Sequence, residues 1–295
     1  MEVFLAQLIN GIAVGSIYAL LVTGFNLIVL VAGVVQFAYP HVVVLSMYVA
    51  WYVFKATGNV ALAVLAAIGS GVGISLATEP IFRPLTKRAA MIASLIASLG
   101  LGMVITDIMS HGLHLGLPIT FPPSLTGEVP IYQAGVATLF QGQLATFIGS
   151  ISAVVGFLYL LYRTQVGRAF RAMAQNPFVA RLLGIPITKT SIRSYAIAGL
   201  LGGISAVFLA MALCYASPAL GNSLALKVVA VALFAGLGNL RGGLIAGLVI
   251  GLVESMVLGY IPGDWSAAVI FGVIMISIMV RPQGVFARQA QPSGQ

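Results

Sequence analysis

The chain has 295 residues, 60% of them hydrophobic and only 7% charged, with a formal net charge of +8. An ordinary soluble domain carries roughly a quarter charged residues, and most residues of a globule this size touch its outside. A soluble enzyme or binding domain is excluded, and lipid is the solvent that makes the composition stable. The 34 glycines agree, because glycine is commoner in membrane helices and lets their backbones approach closely.

A membrane helix needs about 20 mostly apolar residues. Taken in chain order, such runs cover 4–31, 41–54, 59–81, 90–109, 143–162, 194–214, 225–240, 243–260 and 265–281. The second and seventh are short enough to be broken or re-entrant. The expected fold is all-α and polytopic, with eight to ten transmembrane helices in a single domain over residues 1–295. The first run has no basic n-region and is too long for a cleaved signal, so it reads as a retained span. Cys214 is the one cysteine; it allows no disulfide within the chain and reads as packing.

The basic residues are grouped. Arg163, Arg168, Arg171, Arg181, Lys189 and Arg193 share a stretch with no acid. Arg83, Lys87 and Arg88 form a second cluster, and Arg281 and Arg288 lie near the C-terminus. Nucleic acid is not implied; this is the pattern of cytoplasmic loops under the positive-inside rule. Segment 110–142, with Pro118, Pro122, Pro123, Pro130 and Glu128 and no Lys or Arg, then falls outside. Three spans before Arg83 put Met1 outside, and Arg241 falls at a cytoplasmic turn.

Small residues recur four apart at Gly238, Gly242 or Gly243, Gly247 and Gly251, and again at Gly11 with Gly15, Gly69 with Gly73, and Gly199 with Gly203. That spacing makes one helix face on which another backbone can rest. Close packing is the favoured reading, and a substrate passage beside Gly243, Gly247 and Gly251 is the functional one.

In segment 163–193, Arg168 to Ala174 suits one short helix. Asn176 caps a second, with Pro177 at its first position, where a missing N–H costs nothing. Phe178, Leu182 and Leu183 give it an apolar face, Arg181 a basic flank, and Gly184 with Pro186 ends it. Such a helix can lie on lipid or fit a groove in a soluble partner. About eight residues bind lipid weakly alone, so the partner groove is favoured.

The segment GRAFRAMAQNPFVARLLGI, Gly167 to Ile185, resembles the cytoplasmic coupling loop of permeases in LIV-type (branched-chain amino acid) ABC importers. The resemblance recurs at INGIAVGSIYALLVTGFNLI, at FRPL (Phe82 to Leu85), at KVVAVALFAGLGNLRGGLIAGLVIGLVESM (Lys227 to Met256) and at VRPQGVFA. It covers nearly the whole chain in matching order, and the first of the two permease types fits best. It implies a multi-pass inner (plasma) membrane subunit paired with a second permease, two cytoplasmic ATPase subunits and an external solute-binding protein. Gly167, Arg168, Arg171, Asn176, Phe178, Arg181, Leu182 and Gly184 would then couple to the ATPase. ATP belongs to that partner, since no G-x-x-x-x-G-K-[ST] occurs here. No cofactor, catalytic set or metal cluster is expected; His111 and His114 share a spacing of three, but a loop explains them better.

One segment departs from the family. Where related permeases carry a sequence close to GxxNFAHGE, Gly33 to His41 reads GVVQFAYPH, with Gln36, Tyr39, Pro40 and His41 as the substitutions. Polar groups at a break between apolar runs are costly unless they face protein or water. Either Gln36, Tyr39 and His41 line or gate the passage, or they form a loop tethered by Pro40. Lys227 and Glu254 match the family motif; they are functional candidates by their depth, with snorkelling to the outer interface the slightly favoured alternative. Asp107 and Glu79 sit at span ends and read as interfacial.

The function expected is the permease of an ATP-driven importer for branched-chain amino acids or related small organic acids. Related systems also carry urea, short amides or aromatic carboxylates. A secondary transporter would want mid-span charges for ion coupling, and these are few; an intramembrane enzyme lacks a catalytic constellation. The orientation is testable: a cysteine placed near Glu128 should react with a membrane-impermeant thiol reagent added outside the cell, and one near Arg171 should not. The reverse pattern inverts the chain.

Overall fold

A computed structural model describes residues 2–87, 91–113, 116–127, 130–134, 137–260, 263–281 and 284–286. Arg88, His114, Glu128 and Arg288 lie outside the described residues. Nine long helices are present among the described residues: α1 (Glu2–Ala32), α2 (Tyr39–Thr57), α3 (Val60–Lys87), α4 (Met91–Asp107), α6 (Gln141–Arg163), α9 (Ile187–Leu213), α10 (Pro218–Ala235), α11 (Leu240–Tyr260) and α12 (Gly263–Val280). Three short ones are α5 (Pro123–Thr126), α7 (Gln165–Gln175) and α8 (Pro177–Leu182). Seven are long and apolar enough to cross a membrane: α1, α3, α4 with its extension to Gly112, α6, α9, α10 and α11. The chain is an all-α, multi-pass membrane protein.

The two short runs turn out differently. The second becomes α2, a 19-residue helix buried over most of its length. The seventh starts earlier than expected, at Pro218, and stops at Ala235 because Gly236 and Gly238 take positive φ and turn the chain into α11. Segment 110–142 is not wholly irregular. A π-helical turn (Ile108–Gly112) follows α4, and two small antiparallel ladders form. Strand β1 (Ile119–Thr120) pairs with β4 (Tyr215–Ala216), and β2 (Pro130–Ala134) with β3 (Ala137–Phe140).

Contacts define two ends. At one, Trp51 donates to the Thr120 carbonyl at 3.1 Å and Phe121 N–H to the Cys214 carbonyl at 2.9 Å, while Ser255 donates to the Gln7 carbonyl at 2.9 Å. At the other, the basic end, Ser191 donates to Glu79 at 3.0 Å and Arg241 to the Tyr162 hydroxyl at 2.8 Å. Asn239 there donates to the Phe286 carbonyl at 2.7 Å and accepts from Gly242 N–H at 3.0 Å. Asn26 of α1 completes this knot: it donates to the Asn239 carbonyl and accepts from Gly238 N–H, both at 3.2 Å.

The glycine faces set the packing. A Cβ on Gly247 would sit 2.3 Å from the Ala19 nitrogen, and one on Gly251 would sit 2.2 Å from the Gly15 Cα. Helices α1 and α11 therefore touch backbone to backbone, and Gly243 meets Asn26 and Val22 on the same seam. Gly11 and Gly15 rest on Leu252 and Leu248. Gly238 leaves the expected ladder because it lies in the α10–α11 turn with φ +76°. The Gly69–Gly73 pair is also corrected, since a Cβ on either would meet nothing within 4 Å; Gly71 between them packs instead, where a Cβ would lie 2.6 Å from the Gly199 carbonyl. Gly199 and Gly203 do take α3 as expected.

Replacing Gly247 by Leu forces apart two backbones in contact and should cost about 1–3 kcal/mol or more. Thermal melting of the purified chain checks this, with Gly69→Leu as a control expected to melt like the parent. Equal melting of the two variants would contradict the seam.

Candidate functional site

The polar break is built from the end of α1 to the start of α2. Gly33 takes φ +68°, which a β-carbon would oppose, and ends α1. Residues 33–36 follow without regular structure and a turn at Phe37–Ala38 leads into α2, where Pro40 occupies the first turn. In hydrocarbon the freed backbone groups would have no partner. Serine 98 of α4 supplies one: Ser98 Oγ accepts from Phe37 N–H at 3.1 Å and lies 3.1 Å from the Val35 carbonyl. Gln36 Nε2 donates to Thr78 Oγ1 at 3.1 Å, and its Oε1 has no partner among the described residues.

Tyr39 points between α1 and α9. Its hydroxyl donates to the Ala198 carbonyl at 3.1 Å, and its ring fills the space that Gly24 and Gly202 leave open. His41 is pressed between α4 and α10, where a Cβ on Gly102 or Gly221 would lie 3.0 or 2.8 Å from the imidazole. Nδ1 lies 3.1 Å from the Phe37 carbonyl and Nε2 lies 2.9 Å from the Asn222 side-chain amide. A carbonyl only accepts, so Nδ1 carries a proton towards Phe37, and it is the Asn222 oxygen, Oδ1, that faces Nε2.

Gln36, Tyr39 and His41 are all buried at this break, and each faces a different helix. Gly243, Gly247 and Gly251 are not brought to them. Helix α1 stands between, with Ala19, Val22 and Asn26 against the glycines and Gly24 against Tyr39. The glycine face is closed by backbone and lines no open space.

Segment 163–193 folds largely as its residues require. Thr164 caps α7 by accepting from Gly167 N–H at 3.2 Å. Gly167 is buried where a Cβ would lie 2.1 Å from the Leu161 carbonyl, so α7 presses on the end of α6. Arg171 donates to that same carbonyl and lies over the Tyr162 ring, 5.5 Å from its centre. Asn176 Oδ1 accepts from Phe178 N–H at 2.9 Å and Val179 N–H at 3.1 Å, and Gly184 closes α8 with φ +80°. Beyond that frame the loop is uncovered. Phe178, Leu182 and Leu183 are 70%, 72% and 74% exposed, with Arg168 and Arg181 also exposed.

The charged residues find partners within the fold. Glu79, near the end of its span, is buried; it pairs with Arg83 one turn on at 2.5 Å and accepts from Ser191 of α9. Lys227 and Glu254 do not snorkel apart but pair at 2.6 Å. Asp107, by contrast, is exposed beside His111 at 2.9 Å. Sequence reasoning missed Asn26, Thr78, Ser98 and Asn222. Each is a polar residue inside an apolar run, which is the available signal, but its partner lies more than 40 residues away along the chain.

Comparison with known proteins agrees with this architecture. The sequence model of the family described as branched-chain amino acid transport system / permease component matches residues 7–279, so the chain belongs to that family. It is 25% identical over 299 residues to the high-affinity branched-chain amino acid transport system permease protein BraD of Pseudomonas aeruginosa, covering 97% of this chain and 96% of that one. The probable branched-chain amino acid transport permease protein LivH of Methanocaldococcus jannaschii is 28% identical over 290 residues, covering 94% and 90%. The ribose import permease protein RbsC of Escherichia coli K12 is 27% identical over 238 residues, covering 80% and 71%.

Tyr39→Phe removes one interhelical hydrogen bond, worth about 0.6 kcal/mol on average in a membrane protein. Tyr39→Ala also leaves a cavity and should cost about 3–5 kcal/mol, as buried aromatic truncations do. Melting of the two variants in the same detergent checks the order, and a Tyr39→Ala protein as stable as the parent would put the ring outside the core.

Proposed function

We propose that the chain is the inner-membrane permease subunit of an ATP-driven importer of branched-chain amino acids. The single observation that carries the coupling is the exposed apolar trio Phe178, Leu182 and Leu183 at the tip of a basic loop that is otherwise rigidly anchored. Large apolar side chains uncovered on an ordered loop fit a partner's groove. A cytoplasmic ATPase is the partner that an importer's permease requires, and a second permease and an external solute-binding protein complete the assembly. Branched-chain substrates are the reading drawn from the names of the BraD and LivH relatives; RbsC shows that permeases of related sequence also serve ribose.

The proposed mechanism follows the contacts. Force applied at α8 reaches α6 through Gly167 and Arg171, and reaches α9 through the short connection 183–186. Helix α9 holds Tyr39 by the Ala198 carbonyl and is tied to α3 by Ser191–Glu79. A shift of α9 would therefore free or seat Tyr39 and open or close the break at Gln36 to His41, which acts as the gate. Close-packed elements respond in such steps because they are bistable and do not deform smoothly.

Phe178→Asp with Leu182→Asp should leave insertion of the chain unchanged while recovery of the ATPase on co-purification falls by at least about tenfold, as when two interface anchors are lost. Undiminished ATPase recovery would remove the coupling assignment.

A further inference from the structure

One cavity in the membrane-spanning region carries charge. It has a volume of about 280 Å³ and lies between α1, α9, α10 and α11. At its charged side Lys227 Nζ donates to Glu254 Oε1 at 2.6 Å and to the Tyr18 hydroxyl at 3.4 Å. The Lys227 and Glu254 side chains are 25% and 8% exposed. Its other walls are mostly aliphatic, including Ile17, Leu209, Leu220 and Leu258, with Asn10, Ser223 and Ser255 among them. The volume lies close to the lower end of the ~300–1,000 Å³ range of small-molecule sites, which suits a ligand of amino-acid size.

The pair is incompletely satisfied on both sides. Glu254 Oε2 is buried and has no hydrogen-bond partner among the described residues. An ammonium has three donors, and Lys227 uses two of them. A pair kept only as a brace gains nothing from an unpartnered carboxylate oxygen, which is costly away from water. A carboxylate and an ammonium side by side, with the Tyr18 hydroxyl against them and a cleft lined by aliphatic and a few polar side chains, complement a molecule bearing an ammonium, a carboxylate and an aliphatic side chain.

We propose that the Lys227–Glu254 pair and its cavity form a transit site for a zwitterionic aliphatic amino acid, resting on the import reading above. The Glu254 carboxylate takes the α-ammonium, Lys227 takes the α-carboxylate, and the side chain lies along Leu209, Leu220 and Leu258. The geometry also gives a basis for selectivity. Two opposite charges entering a neutral pair leave the cluster neutral. An anion or cation of the same shape leaves one charge uncompensated in a region of low dielectric.

The site leads to the polar break. On α1, Ile17 lines the cavity and Gly24, seven residues on, receives Tyr39. On α9, Leu209 lines the cavity and Gly202, seven residues back, receives the same ring. Seven residues are two helical turns, about 10 Å, so both helices present one face from cavity to tyrosine. Tyr39 closes the way from the cavity towards the basic end. The passage then runs between α1, α9 and α10, away from the α11 glycines.

The test uses the complete importer in proteoliposomes with saturating binding protein, and reads leucine uptake and thermal melting together. Glu254→Gln and Lys227→Met should each lower uptake by at least about tenfold, the scale of losing one partner of a buried charge pair. The double exchange Lys227→Glu with Glu254→Lys should restore melting but not uptake, because a zwitterion bound in reverse turns its side chain from the leucines. Leu220→Trp fills the cavity with the pair intact and should lower uptake alone; it decides the matter if Glu254→Gln fails to fold. Uptake retained within about twofold in Glu254→Gln or Leu220→Trp overturns the site, as does uptake recovered in step with melting in the exchange, which marks a structural brace. A parent complex that takes up no leucine overturns the import reading and the transit site together.

Discussion

Lipid tails are as apolar as leucine, so membrane helices gain little from hiding apolar side chains and must hold one another by close fit. In this chain the fit is made where Gly247 and Gly251 of α11 receive the backbone of α1 at Ala19 and Gly15. Everything else is arranged about α1. Its basic-end half is tied by Asn26 to the α10–α11 turn, its other end is reached by Ser255 through Gln7, and its opposite face gives Tyr39 a seat at Gly24. A side chain at Gly247 would move α1, and with it both the polar break and the charged cavity.

The second constraint is that a polar group within hydrocarbon needs a protein partner. The break at Gln36 to His41 would be untenable facing lipid, and it persists because α3, α4, α9 and α10 each lend it a group: Thr78, Ser98, the Ala198 carbonyl and Asn222. Glu79 is handled likewise by Arg83 and Ser191. Among the described residues, one carboxylate oxygen of Glu254 is a buried charged-group atom with no hydrogen-bond partner. It lies in the one charged pair that also borders a cavity among those described here.

The loop between α6 and α9 follows the opposite rule. It is held from within by Gly167, Phe170, Met173 and Ala180, all buried, and presents apolar groups outward. Uncovered apolar side chains on such a loop are what the proposed docking of another chain would use, and the loop's contacts tie it to α6 and α9. The polar break and the exposed loop are thus joined by α9, which carries Ala198 and Gly202 in the core and begins just after the loop.

Much of this was legible in the residues. Long apolar runs gave the helices, because in lipid the backbone must satisfy itself within each segment. Asn176, Pro177 and Gly184 gave the short helix of the coupling loop, because caps and breakers act on neighbours only. The basic clusters gave the grouping of loops at one end. What spacing alone did not decide was which face each helix turns to which neighbour. Gly69 and Gly73 have the same period as Gly199 and Gly203, yet it is Gly71 that meets α9, since helix rotation is set by the partner's shape. The glycines of α11 and the polar break looked like two walls of one passage, and α1 lies between them. Lys227 and Glu254, 27 residues apart, became a buried pair through the α10–α11 turn, which brings the two helices side by side. Local chemistry determined the elements; the pairing of distant polar groups, each needing a partner that lipid cannot supply, was decided only by the tertiary fold.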